Sequence, residues 1–137
     1  MATRSYIGVK NPDQTVSYIY CHFDGYPEHN GKILTEHYTT MDKVNALMRL
    51  GDLSILAPEI GEKQDFTDRT TQNSNWCLAY GRDRGETGVG AANGTYNDLI
   101  NDHDVDYVYI FDSEFWECHR TYGPTGVELY NLASAEA

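Results

Sequence analysis

The sequence predicts an α+β fold, a single domain in which a mostly antiparallel sheet carries helices on one face. Three observations predict it. Aromatic and β-branched runs come in pairs joined by short polar turns near each end of the chain, the signature of hairpins. Between them lies a run with apolar residues at helical spacing, a threonine before it and a glycine after it. The 137 residues also sit near the commonest domain size, so one core accommodates them.

The elements follow in order. Tyr6 to Val9 and Thr15 to Phe23 flank Asn11-Pro12-Asp13-Gln14, where proline presets the turn dihedral and Asn and Asp can bond their own backbone, so this is a hairpin. In its second strand Val16, Tyr18 and Tyr20 alternate with Ser17, Ile19 and Cys21; neither face is strongly polar, which places the strand inside the sheet. After Asp24-Gly25-Tyr26-Pro27, Ile33, Leu34 and His37 or Tyr38 recur at helical spacing over His29 to Tyr38 and predict a short helix. Thr39 or Thr40 caps the next helix, whose Val44, Leu47, Met48 and Leu50 share one face until Gly51. Leu53, Ile55, Leu56 and Ile60, punctuated by Pro58 and Gly61, read as a helical turn followed by a loop. The polar stretch Glu62 to Asn75 reads as an exposed loop and Trp76 to Tyr80 as a strand. Gly81 to Gly94, with five glycines, cannot be regular throughout. Thr95 caps a short helix to Asp102, and Tyr107 to Phe111 with Phe115 to Arg120 forms a second hairpin across Asp112-Ser113-Glu114. Val127 to Leu132 reads as a strand or a helical turn, and residues 133–137 as a frayed tail.

Composition narrows the function. Ten Lys and Arg against twenty-one Asp and Glu give a net charge of −11, which disfavours direct binding of nucleic acid or anionic membranes. No run approaches the roughly 20 apolar residues of a bilayer span, and Met1 to Ser5 lacks the apolar stretch of a signal peptide, so a cytoplasmic protein is expected. Eleven tyrosines, four phenylalanines and two tryptophans promise an aromatic core. Cys21, Cys77 and Cys118 are far apart and odd in number, which predicts buried free thiols rather than a disulfide framework or zinc site. Between Gly85 and His119 there is no Lys or Arg, whereas Glu86, Asp98, Asp102, Asp104, Asp106, Asp112, Glu114 and Glu117 fall there. That segment is either a solvated face or a surface for a basic partner.

Two segments can carry chemistry. His22, Asp24, Tyr26, His29 and Asn30 lie on the passage from a strand into a helix, where polar groups converge and free N–H groups favour an anion. With His37 these histidines and acids are a candidate metal set, although the spacing matches no zinc signature; the alternative is a turn held by its own hydrogen bonds. Arg82 and Arg84 point the same way if the strand before them continues, and their forks suit phosphate or carboxylate, unless they pair internally with Asp83, Glu86 or the acidic segment. Trp76, Trp116 and Tyr26 are candidate stacking surfaces, with core packing the competing role. The glycine-rich continuation lacks the lysine of a phosphate-binding P-loop, and no nucleophile elbow, dinucleotide fingerprint or paired-carboxylate motif occurs. No cofactor is implied.

The blocks Arg4-Ser5-Tyr6-Ile7-Gly8, Ile19 to Leu34 (IYCHFDGYPEHNGKIL) and Tyr80 to Glu86 (YGRDRGE) resemble a family of small uncharacterised proteins of tailed bacteriophages and prophages, over roughly residues 3 to 120. Gln14 departs from the glycine expected after Asn-Pro-Asp. The resemblance implies a phage accessory protein acting in the cytoplasm of an infected bacterial host. It leaves three readings open. The first is a non-enzymatic binder that sequesters a small anionic, nucleotide-type ligand such as an immune messenger. Arg82, Arg84 and Lys63 would hold phosphate and His22, Asp24 and Asn30 the polar edges, with a homo-oligomer as one way of completing the pocket. The second is an acidic inhibitor or DNA mimic that blocks a basic surface of a host protein, and the third a metal-dependent hydrolase.

Overall fold

The central strand of the sheet is the first in the chain. In the computed structural model, which describes residues 2–102, 104–123 and 126–130, with side chains up to residue 121, β1 (Ser5–Lys10) pairs antiparallel with β2 (Thr15–Cys21) and parallel with β6 (Tyr107–Phe111). β7 (Trp116–Gly123) and β8 (Gly126–Tyr130) extend the sheet antiparallel beyond β6. On the other side β2 pairs parallel with β3 (Leu53–Ile55), which pairs antiparallel with the two-residue β4 (Leu78–Ala79). The free half of the same β2 edge takes β5 (Ala92–Thr95) antiparallel. The strand order is β4-β3-β2-β1-β6-β7-β8, so the domain is α+β with a mixed, mostly antiparallel sheet.

Alternation along the strands sorts the side chains. Ile7, Val9, Ile19, Cys21, Tyr109 and Phe111 form one face, which the helices cover: α1 (Lys32–His37) with Leu34, and α2 (Met41–Leu50) with Val44, Leu47 and Met48. Thr40 accepts from the Lys43 N–H as the α2 N-cap, and Gly51 ends the helix at φ +81°, where a side chain would be strained and would meet the Val89 carbonyl. On the reverse face Val16, Val108 and Ile110 form a smaller cluster, closed by Leu99 of the single-turn α4 (Tyr96–Ile100) and by Val105.

Both hairpins, the capped α2 and the Thr95-capped α4 stand where the sequence puts them. Gln14, despite its Cβ, takes φ +74° in the first hairpin turn, while Asp13 accepts from the Thr15 N–H and hydroxyl. Three readings change. Pro27–Gly31 forms a turn of π-helix, so α1 begins at Lys32 rather than His29; Pro27 has no N–H to donate, and the Lys32 N–H reaches back five residues to the Pro27 carbonyl. Leu53 to Ile55 is a strand and not a helical turn, because the exposed edge of β2 offers it a ladder. Trp76 to Tyr80 shortens to a strand at Leu78–Ala79, after which α3 (Tyr80–Arg84) begins at once. Gly126–Tyr130 is a strand; the tail at 133–137 lies outside the described residues. No helix among the described residues is long and apolar enough to cross a membrane.

Candidate functional site

The β3–β4 end of the sheet is roofed by the loop over residues 62–75, and a cleft of about 260 Å³ opens between them. Its sheet wall begins where β2 runs on past Cys21: the His22 and Phe23 N–H groups donate to the Leu53 and Ser54 carbonyls at 3.0 and 3.1 Å, setting both rings at the cleft. The His22 Nδ1 sits 2.7 Å from the Tyr20 hydroxyl, and its Nε2 has no partner among the described residues. Phe23 packs edge-on to that imidazole at 4.6 Å and stays 37% exposed.

The roof is built by two successive Asp-x-Thr turns. Asp65 accepts from the Thr67 N–H and hydroxyl, Asp68 from those of Thr70, and the Gln72 amide donates to the carbonyls of Asp65 and Phe66 at 2.9 and 3.0 Å. These turns hold Phe66 and Arg69 over the cleft. Phe66 lies 5.4 Å from the Tyr80 ring at 35°, and the Arg84 guanidinium sits 5.0 Å from both ring centroids while pairing with Glu86. Burial, ahead of the lowering influence of Ser54 and Arg84, raises the Tyr80 phenol above its ordinary value, so it stays a neutral donor at physiological pH.

The arginines expected to act together are parted. The strand stops at Ala79, and on the helix that follows, residues two apart face nearly opposite ways. Arg84 reaches the cleft, whereas Arg82 turns inward: it donates to Asp83, to the Ile60 carbonyl at 2.8 Å and to the Cys77 carbonyl at 2.7 Å. Arg82 is therefore a structural clasp, the internal pairing that the sequence left open. Asp83 completes it by accepting from the Gln64 and Ala79 N–H groups, which moors the start of the roof to β4.

Of the candidates His22, Asp24, Tyr26, His29 and Asn30, only His22 lines the cleft. Asn30 is buried and donates to the Ser5 hydroxyl at 3.2 Å and to Cys21 at 3.5 Å, while His29 bonds Asn30 and the Tyr26 hydroxyl donates to Asp24. These four hold their own turn, because Asp24 at φ +57° folds the chain away from the cleft and the Gly25 N–H ties it to the Thr3 carbonyl. Among the described residues no group of three or more His, Cys, Asp or Glu could hold a metal ion; His37, the remaining member of the proposed set, faces Glu36. Lys63 does not line the cleft. Trp116 donates to the Tyr38 carbonyl and packs on Phe111, within the helix-covered core.

The acidic segment is divided by the fold. Asp102, Asp104 and Asp106 precede β6 and Asp112 and Glu114 follow it, so they stand at its opposite ends. Several are already engaged, Asp102 by the Tyr6 hydroxyl at 2.8 Å, Asp106 by the Arg4 N–H at 3.2 Å, and Asp112 by the Glu114 and Phe115 N–H groups. Sequence reasoning missed Arg69, Phe66 and Tyr80. The available signal was the repeated Asp-x-Thr pattern, which marks an ordered loop within a polar stretch.

Two broader depressions, of about 450 and 400 Å³, gather less: Arg49 with Asn11 and Asn45 in one, Lys10 with Gln14 and Tyr96 in the other. Neither combines two cations with several rings. No protein-family model, no curated protein and no solved structure matches this chain.

Proposed function

We propose that the cleft under the 62–75 loop captures a small anionic ligand with a planar ring, of nucleotide type, and that the protein acts by sequestering it. One observation carries this reading. In a chain of net charge −11, two of only six arginines, Arg69 and Arg84, line one cleft together with His22 and the rings of Phe23, Phe66 and Tyr80. Guanidinium forks match phosphate, and aromatic faces match a base. The resemblance to small phage and prophage proteins supports a setting in the infected bacterial cytoplasm, where a host signalling nucleotide is the kind of ligand that such a protein would withdraw.

Isothermal titration with the common nucleoside 5′-monophosphates and with dinucleotides tests the reading. Saturable binding is expected for the wild type, weakened about tenfold or more by Arg84→Gln, since a hydrogen bond to a charged group contributes about 1.5–3 kcal/mol. Arg82→Gln lowers stability with less effect on affinity. Absence of heat with every compound removes the reading.

A further inference from the structure

Arg69 lines the cleft on one side and a neighbouring hollow on the other. A second hollow of about 270 Å³ borders on the same Ile55, Arg69, Gln72 and Leu78, and ends on Trp76. We infer that the two hollows are halves of one groove whose ligand is a dinucleotide: two planar bases joined through phosphate, one base in each half and the linking phosphate at Arg69. The inference rests on the reading of the cleft as a nucleotide site and goes further in naming the ligand class.

Size is the first argument. Each half falls below the roughly 300 Å³ at which ordinary small-molecule sites begin, whereas the two together fall within that range. Chemistry is the second. Each half has its own aromatic surface, the Phe66–Tyr80 pair in one and Trp76 in the other. The Trp76 indole is braced on the backbone of Gly61, where an added Cβ would lie 2.5 Å from Trp76 Cδ2. That packing orients the ring before any ligand arrives.

The residues common to both halves are the third argument. Ile55 and Leu78 give an apolar base, while Arg69 and Gln72 give the polar groups. Arg84 shares its charge with Glu86, whereas Arg69 is exposed and has no carboxylate partner among the described residues. Gln72 spends its amide N–H groups on the loop carbonyls, which leaves Oε1 to accept from a ribose hydroxyl or a base amine. A bridging phosphate presents the oxygens that a single guanidinium fork binds in pairs.

The test compares matched ligands. Wild type and Ser74→Phe, which fills the Trp76 half from its rim, are titrated with the four nucleoside 5′-monophosphates, the corresponding 3′,5′-linked dinucleotides, and NAD as a pyrophosphate-linked arm. Linking two binding groups raises affinity by about a hundredfold or more when both engage, so the best dinucleotide should bind the wild type at least about tenfold tighter than its mononucleotide. Ser74→Phe should abolish that difference and leave mononucleotide affinity unchanged. In a Trp116→Phe variant, where Trp76 is the remaining tryptophan, the dinucleotide should alter indole emission. Equal affinities of mono- and dinucleotides, or a difference that survives Ser74→Phe, overturns the two-base groove and leaves the single-nucleotide reading standing; no binding by any compound removes that reading itself.

Discussion

Asp83 and Arg82 meet through two parallel contacts, Nε to Oδ1 at 2.9 Å and Nη2 to Oδ2 at 3.1 Å, with the Asp83 side chain wholly shielded from solvent. The same carboxylate accepts the Gln64 and Ala79 N–H groups. Asp83→Ala leaves a partly buried cation and two amides without their acceptor. Breaking such a pair on one side costs about 3–5 kcal/mol, so the urea midpoint should fall sharply, and protease should cut first within the loop over residues 62–75.

Gly61 makes a second prediction. Its φ of +71° and its contact with Trp76 both exclude a side chain. Gly61→Ala should cost about 1–3 kcal/mol and shift tryptophan emission as the indole is pushed from its place, both measurable in one denaturation series.

Histidine 119 predicts a pH dependence. Burial lowers its folded pKa below the ordinary 6.5, against the raising influence of Glu117, and its Nε2 lies 2.6 Å from the Tyr96 hydroxyl. Glu117 and Lys10 are the charged groups acting on it. The unfolded chain therefore takes up the proton first. Stability is full above the unfolded pKa, declines as pH falls below it, and has lost this contribution once pH passes the folded pKa. Melting temperature should drop as pH falls below the ordinary 6.5 of the unfolded imidazole, and His119→Gln should flatten that slope.

The thiols predict a chemical outcome. All three cysteines are buried, and burial pushes Cys21 and Cys118 up to about 12 and raises Cys77 as well. Iodoacetamide at neutral pH should leave the folded protein unmodified and alkylate three thiols after denaturation, as read by mass spectrometry.

What was legible in the sequence was local. Thr40 before an apolar stripe and Gly51 after it mark α2, and the polar turn between Phe111 and Trp116 marks the second hairpin, because short-range backbone chemistry decides both. What was hidden depended on partners distant in the chain. Leu53 to Ile55 becomes a strand because Cys21 lies beside it on one side and Leu78 and Ala79 on the other, and Tyr80 starts a helix where its N–H meets the Asp52 carbonyl. At the candidate site, His22 and Arg84 were readable as a strand-end histidine and a scarce cation. Arg69 and Phe66 were not, since their place follows from how the Asp65 and Asp68 turns fold back over β3 and β4. Arg82 and Arg84 illustrate the limit: the chain turns into a helix at Tyr80 instead of continuing as a strand, which sends one inward and the other outward.

The position of β1 also constrains how the chain is made. Ser5 to Val9 fill a central place in the sheet, yet their parallel partners are Tyr107 to Phe111. On the ribosome the first hairpin emerges well before β6 and carries a bare strand edge until β6 leaves the exit tunnel, since parallel pairing at such separation cannot form sooner. That edge stays open until β6 has been made and released, and a nascent chain halted short of residue 107 presents an aromatic, unpaired strand to its neighbours.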